Sequence, residues 1–160
     1  MKKGKRYLIL ILSCMLLLYA FPVYAEENST EEWYEMVEEE FEFEEENVGI
    51  ISPYTLYIVD VQTSLAKLSS SKLGLRADVY CASKVQSITV TFYLQKKSGS
   101  TWVNVASGTP SSATNVSSTA KQVTVSGVSS GTYRAKSITR VIDQYGYAET
   151  VTGYSGYMTI

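Results

Sequence analysis

Residues 73–94 read LGLRADVYCASKVQSITVTFYL, and this stretch decides the fold. In its first part, apolar residues alternate with polar or small ones, at Leu73, Leu75, Ala77, Val79 and Cys81. The second part repeats the alternation at Ile88, Val90, Phe92 and Leu94. A period of two places every second side chain of an extended chain on one face. The stretch therefore predicts two half-buried β-strands, with Phe92 and the unreactive thiol of Cys81 on the core side.

The rest of the chain after residue 52 continues this pattern. Further strands are predicted at 54–61, 101–106, 122–126, 133–142 and within 147–160, with a hairpin turn at 96–100 and a long Ser/Thr-rich surface loop at 107–118. Seven short strands in about 110 residues, with no long helix, are the pattern of a two-sheet sandwich. We therefore expect residues 52–160 to form an all-β, antiparallel, seven-stranded β-sandwich.

Two aromatic residues are expected to be structural. Tyr133 follows a tight turn, Ser129-Ser130-Gly131-Thr132, at the start of the penultimate strand. Immunoglobulin-like domains place a corner tyrosine there, with its hydroxyl bonded to the backbone a few residues upstream. Trp102 lies on a predicted strand, where core or sheet-edge packing is the expected role.

The first 25 residues predict export. Four basic residues lie within residues 2–6, an apolar run covers residues 7–21, and Val23-Tyr24-Ala25 provides a signal-peptidase site. Cleavage between Ala25 and Glu26 is expected, because the apolar run is shorter than the roughly twenty residues of a spanning helix. An uncleaved form, or lipidation at Cys14, remains the alternative. The mature protein is expected to be secreted, extracellular or associated with the cell surface.

Residues 26–51 form an acidic leader. Twelve glutamates and no basic residue lie between residues 26 and 46, whereas ten basic and four acidic residues follow, so the leader carries −12 and the domain +6. A run of like charges predicts a solvated tail. Trp33, Met36, Val37 and Phe41 have helical spacing, so a transient helix is also predicted. Two alternatives stay open: a leader that docks on the domain, and a pro-segment that is removed.

Some of these motifs resemble a known family. Tyr93-Leu94-Gln95-Lys96-Lys97, Trp102-Val103, Gly131-Thr132-Tyr133-Arg134 and Glu149-Thr150 are similar to motifs of small secreted proteins from Gram-positive bacteria, a family without an assigned function. The resemblance covers residues 65–157 and excludes the leader. It implies export and an immunoglobulin-like or fibronectin-III-like fold, and it assigns no catalytic residue.

The composition argues against catalysis. Without any histidine, the chain has no Ser-His or Cys-His nucleophile pair. The domain's only acids are scattered, at Asp60, Asp78, Asp143 and Glu149, so no carboxylate pair or metal-ligand motif is evident. We expect no enzyme activity, no cofactor, no metal site, no nucleic-acid partner and no membrane span once the signal is cleaved.

Two surface features remain as candidate binding sites. The first is basic and comprises Arg76, Arg134, Lys136 and Arg140, which the strand alternation places outward. The second is aromatic and comprises Tyr145, Tyr147, Tyr154 and Tyr157. The expected function is a secreted, non-catalytic binding module for an anionic cell-wall polymer or another extracellular protein. The alternative is a secreted, toxin-like effector whose acidic leader is a pro-segment.

Overall fold

The computed structural model describes residues 33–42, 47–51 and 55–160, all within one compact unit, Glu31–Ile160. The predicted signal peptide, its cleavage site after Ala25 and Cys14 lie outside the described residues. Every regular element in the described part is a β-strand, and every pairing between strands is antiparallel. The predicted all-β class is therefore confirmed.

The described residues form eight strands: six lie within residues 52–160, where seven were predicted, and two lie in the leader. They are β1 (Met36–Glu38), β2 (Gly49–Ile51), β3 (Ile58–Lys67), β4 (Lys72–Ser98), β5 (Thr101–Ser107), β6 (Ser111–Ser126), β7 (Thr132–Ile142) and β8 (Ala148–Thr159). The order β1-β6-β4-β3-β2 forms one path through an open sheet, while β5 and β7 also pair with β4, and β8 pairs with β7.

Two predicted elements are wrong. The expected loop at 107–118 is mostly strand, because β6 begins at Ser111 and pairs with β4. Its start has polar residues on both faces, so backbone pairing rather than an apolar alternation makes it a strand. The expected transient helix is also absent from the described leader, since Met36–Glu38 pair with Val123–Val125. Unlike the start of β6, this part of the leader does alternate: Tyr34 and Met36 face the core, whereas Trp33 and Val37 are exposed.

The strands predicted at 73–81 and 88–95 are one strand, β4, which bends between them. Its pairing with β6 shifts register between Tyr80 and Val85. On β6 the matching bend contains Asn115, whose φ of 56° is left-handed. Across the bend the Lys121 ammonium donates to the Ser112 carbonyl at 3.3 Å, although nine positions separate the two residues. A straight strand of that length would hold them about 30 Å apart, so β6 folds sharply back.

The bends divide the sheet into two halves that share one core. The β3 half contains β3 and the segments 72–80 of β4 and 118–126 of β6; the β7 half contains β5, β7, β8 and residues 85–98 of β4. Phe92, Leu65 and Tyr133 are all nearly inaccessible within one apolar cluster. Between the halves, the buried hydroxyls of Thr63 and Ser137 lie 2.6 Å apart. The inward faces of both halves thus face each other.

Tyr133 has the contact expected of a corner tyrosine. Its ring is fully buried, and its hydroxyl donates to the Ser129 carbonyl at 2.9 Å. The leader reaches the same turn, because the Tyr34 hydroxyl donates to Ser129 Oγ at 2.9 Å. The turn before β7 is therefore tied both to the core and to the leader.

Candidate functional site

The outward face of β5, β4, β7 and β8 is the candidate site. Along β7, Tyr133, Ala135, Ser137, Thr139 and Val141 are buried, which leaves the intervening residues on the outer side. The register places Arg134 opposite Gln95 on one side and Tyr157 on the other. It places Lys136 between Tyr93 and Tyr154 in the same way. Strand pairing thus brings together basic and aromatic residues that are far apart in the sequence.

Arg134 is stacked between two aromatic rings. Its guanidinium carbon lies 4.5 Å from the ring centre of Trp102 and 4.3 Å from that of Tyr154. Its Nε donates to Gln95 Oε1 at 2.8 Å, and Gln95 Nε2 donates to Asn104 Oδ1 at 2.8 Å. The stack and the hydrogen bond hold the guanidinium in place through its ring contacts and its inner nitrogen. The terminal nitrogens have no hydrogen-bond partner among the described residues.

Further cations and rings extend this arrangement. The Lys136 ammonium lies 5.3 Å from the ring centre of Tyr93, and the Tyr157 ring lies 6.5 Å from Trp102. Tyr157 remains 68% exposed, so most of its ring is free to contact a ligand. We call this surface the cation–aromatic face; its residues are Tyr93, Trp102, Arg134, Lys136, Arg140, Tyr154 and Tyr157.

On the paired strands that the structure describes, no acidic side chain compensates the positive charge of the cation–aromatic face. Arg134, Lys136 and Arg140 share the outer side of β7, and their partners on β4 and β8 are neutral residues. Glu149 pairs with Val141, so the strand alternation directs its carboxylate to the opposite side of the sheet. The face can therefore attract an anion, and cation–π contacts hold two of its charged groups in fixed positions.

Arg76, also predicted as a binding residue, is not part of this face. It lies on the β3 half, where its Nε and a terminal nitrogen both bond the Asp78 carboxylate at 2.7 Å. That bidentate contact raises the pKa of Arg76 and neutralises its charge locally. The predicted basic set thus divides, with Arg76 in an ion pair and the other three on β7.

Tyr145 and Tyr147 are also separate from the face, in the turn between β7 and β8. They are 86% and 70% exposed, and their N–H groups donate to Asp143 Oδ1. Burial acts to raise the pKa of Asp143, but the neighbouring Tyr57 hydroxyl and the N–H groups of residues 145–147 outweigh it and lower that pKa. The same contact with Asp143 raises the pKa of Tyr57 to about 12. These groups shape the turn.

Glu149 has a similar structural role near the start of β3. Its carboxylate accepts the N–H groups of Leu56, Tyr57 and Ile58 at 2.8, 3.1 and 3.3 Å. Burial acts against these bonds, yet together they hold the pKa of Glu149 below its usual value. Burial, with Glu149 as a lesser cause, raises the pKa of the half-buried Cys81 thiol. A raised pKa keeps that thiol protonated and weakly nucleophilic.

Gln95, Asn104 and Tyr93 are members of the site that the sequence analysis missed. They lie on β4 and β5, and alternation does not reveal which strands lie beside β7 or in which register. The outward position of Gln95 on β4 was the one sequence signal that could have included it in the site.

Within residues 33–42, 47–51 and 55–160, no three acidic or cysteine side chains cluster as a metal site would require. In the same ranges, no helix has the length and apolar character needed to cross a membrane.

The comparisons with known proteins found no match among family models, curated proteins or solved structures. The resemblance to secreted proteins of Gram-positive bacteria therefore stays a prediction from its motifs.

Proposed function

We propose that this protein is a secreted, non-catalytic binding module that holds an anionic polymer of the cell wall on its cation–aromatic face. The observation that carries the proposal is the guanidinium of Arg134, fixed between Trp102 and Tyr154 with its terminal nitrogens free of described partners. A planar guanidinium with two free nitrogens suits a phosphate or carboxylate group. The exposed ring of Tyr157 beside it offers apolar area for a sugar or polyol unit.

The finer description of the fold is part of this proposal. We infer an immunoglobulin-like sandwich, supported by two halves that share one core and by the Tyr133 hydroxyl bonded to Ser129. In such domains a sheet face is a common platform for binding. Binding alone accounts for the arrangement of the cation–aromatic face, without a catalytic role for any of its residues. Export, which brings the domain to wall polymers, is inferred from the N-terminal sequence.

The alternative of a toxin-like effector with a removable pro-segment is the weaker proposal. Cleavage near Asn47 would detach Met36–Glu38 from β6 and withdraw the Tyr34 hydroxyl from Ser129. Those contacts stabilise the folded domain, and their loss would expose an edge of the sheet. Mass spectrometry of the secreted form tests it: an N-terminus near Asn47 would support processing, and one at Glu26 would argue against it.

The experiment for polymer binding measures retention of the full mature chain on immobilised poly(glycerol phosphate), with neutral dextran as the comparison polymer. Arg134→Gln should weaken binding about tenfold, the equivalent of one charge-assisted contact. Arg140 is exposed and lies outside the stack, so Arg140→Gln should also weaken polymer binding without disturbing the fold. Retention should also fall as salt screens the charges.

The matched control is Lys84→Gln, which removes the same charge at an exposed position at the bend of β4. Its affinity should stay close to that of the parent. Equal losses in Lys84→Gln and Arg140→Gln would show a non-specific charge effect and reject the site. Absence of binding by the parent at low salt would reject the proposed ligand, and thermal unfolding of each variant separates either result from misfolding.

A further inference from the structure

Residues 33–42 dock on the domain as a peptide would, and we call them the strap. Three residues, Met36–Glu38, add a short antiparallel strand to the edge of β6. Before them, the Tyr34 N–H donates to the carbonyl of Val105, the extra residue of a bulge in β5, at 2.7 Å. This is β-augmentation, in which backbone pairing supplies affinity and side chains supply specificity.

The side chains of the strap occupy specific positions. Glu39 bonds both the Lys72 ammonium and the Thr124 hydroxyl at 2.7 Å. The Phe41 ring lies directly over Gly74, where a β-carbon would clash with the ring. Gly74 therefore leaves a seat that an aromatic ring fills. The groove recognises an acidic strand followed by an aromatic residue.

Much of the strap is held by few contacts, although Tyr34 and Met36 pack against the core. It pairs through only three residues, its ion pair with Lys72 is partly exposed, and Trp33 and Val37 are mostly in solvent. Next to it an open cleft of about 450 Å³ is lined by residues 38–41 together with Arg76 and Lys121. Loosely packed, solvent-exposed elements of this kind open at low cost relative to global unfolding.

Opening of the strap would leave a surface that favours another strand. The freed edge of β6 would continue from Val123–Val125 into residues 111–122, which lack a strand partner on that side among the described residues. Unpaired edges are templates for strand addition. Lys72 and Lys121 beside the groove would attract an acidic segment rather than a neutral one.

We propose that this groove binds the strap of a second copy of the chain, so that the protein self-associates by strap exchange. The strap of a second copy has the same sequence as the occupant seen here, so exchange preserves each contact described above. Protein concentration and the cost of opening then decide between the internal and the exchanged form. Reciprocal exchange gives a closed dimer, and successive exchange gives an open chain of copies.

Disulfide trapping between two single-cysteine proteins tests this directly. Both proteins are full mature chains with Cys81→Ser; the donor carries Val37→Cys and the acceptor carries Thr124→Cys, at positions that pair in the structure. In a mixture, the donor and acceptor can form this disulfide only when the strap of one lies on β6 of the other. The control acceptor carries Ser118→Cys, an exposed position on β6 beyond the paired residues.

Strap exchange predicts donor–acceptor disulfides well above those of the control acceptor, increasing with concentration. Adding Phe41→Ala to the acceptor should increase trapping further, because it weakens the acceptor's own strap and leaves its groove free for the donor. Adding the exposed Trp33→Ala should not. Trapping equal to that of the control acceptor would overturn the proposal. So would a mature parent chain, free of engineered cysteines, that sediments as a monomer from low to high micromolar concentration.

Discussion

Replacing Phe41 by alanine tests whether the acidic leader is part of the folded domain. The Phe41 ring is half-buried over Gly74, and its N–H donates to Gln122 Oε1 at 2.9 Å. Full burial of a phenylalanine contributes up to about 3 kcal/mol, so half-burial at an open site gives about 1–2 kcal/mol. For a domain of this size that loss lowers the melting temperature by roughly 4–8 °C.

The assay is thermal unfolding of the mature chain, followed by far-UV circular dichroism and repeated in urea. Trp33→Ala is the matched control, because Trp33 lies on the same segment but is 58% exposed. Its melting temperature should stay within a degree or two of the parent, as is usual for surface substitutions in domains of about this size. If Phe41→Ala and Trp33→Ala both melt like the parent, the leader does not stabilise the domain and our interpretation of Phe41 is wrong.

Substitutions at three further positions probe other parts of the structure. Phe92→Ala, at a side chain that is 1% exposed, should cost about 3–5 kcal/mol in urea unfolding; parental stability would mean that the faces of β4 are misassigned. Asn115→Val should cost about 1–2 kcal/mol, because a β-branched residue resists the left-handed backbone of the bend, whereas Asn115→Gly should be neutral. The pKa values of Asp143 and Glu149 are lower in the folded chain than in the unfolded chain, so the unfolded chain takes up protons first as pH falls. The stability of the fold should therefore decrease as pH drops below their ordinary pKa values of 3.8 and 4.5. In Glu149→Gln, the melting temperature should fall less steeply with decreasing pH than in the parent. An unchanged pH dependence would contradict the role assigned to Glu149.

The strand alternation in the sequence identified the core correctly. Phe92, Val90 and Leu94 are buried as their period of two indicates, and Tyr133 lies near the start of a strand whose odd positions face inward. Alternation reports which face of a strand is apolar, and both halves of the sheet share this property. It carries no information on which strand lies beside another, so the meeting of Arg134 with Trp102 and Tyr154 could not be predicted.

The misassigned segments were those whose composition suggested no strand. The start of β6 is polar on both faces, so composition suggested a loop, although its backbone pairs with β4 from Ser111 onward. In the leader, the density of glutamates suggested a solvated tail. Strand pairing through backbone groups is largely independent of side-chain polarity, which explains why charge misled the prediction for Met36–Glu38.

Net charge alone would also misdirect the search for a ligand. The whole chain carries −2, yet its cations occupy two different environments. Lys72 and Arg76 are paired with Glu39 and Asp78, whereas Arg134 and Lys136 lie on a face without acidic neighbours on the adjoining strands. Salt should therefore weaken polymer binding at the cation–aromatic face strongly. Strap docking depends mainly on backbone pairing and the Phe41 ring, so it should persist at salt concentrations that abolish polymer binding, and this difference allows the two surfaces to be studied separately.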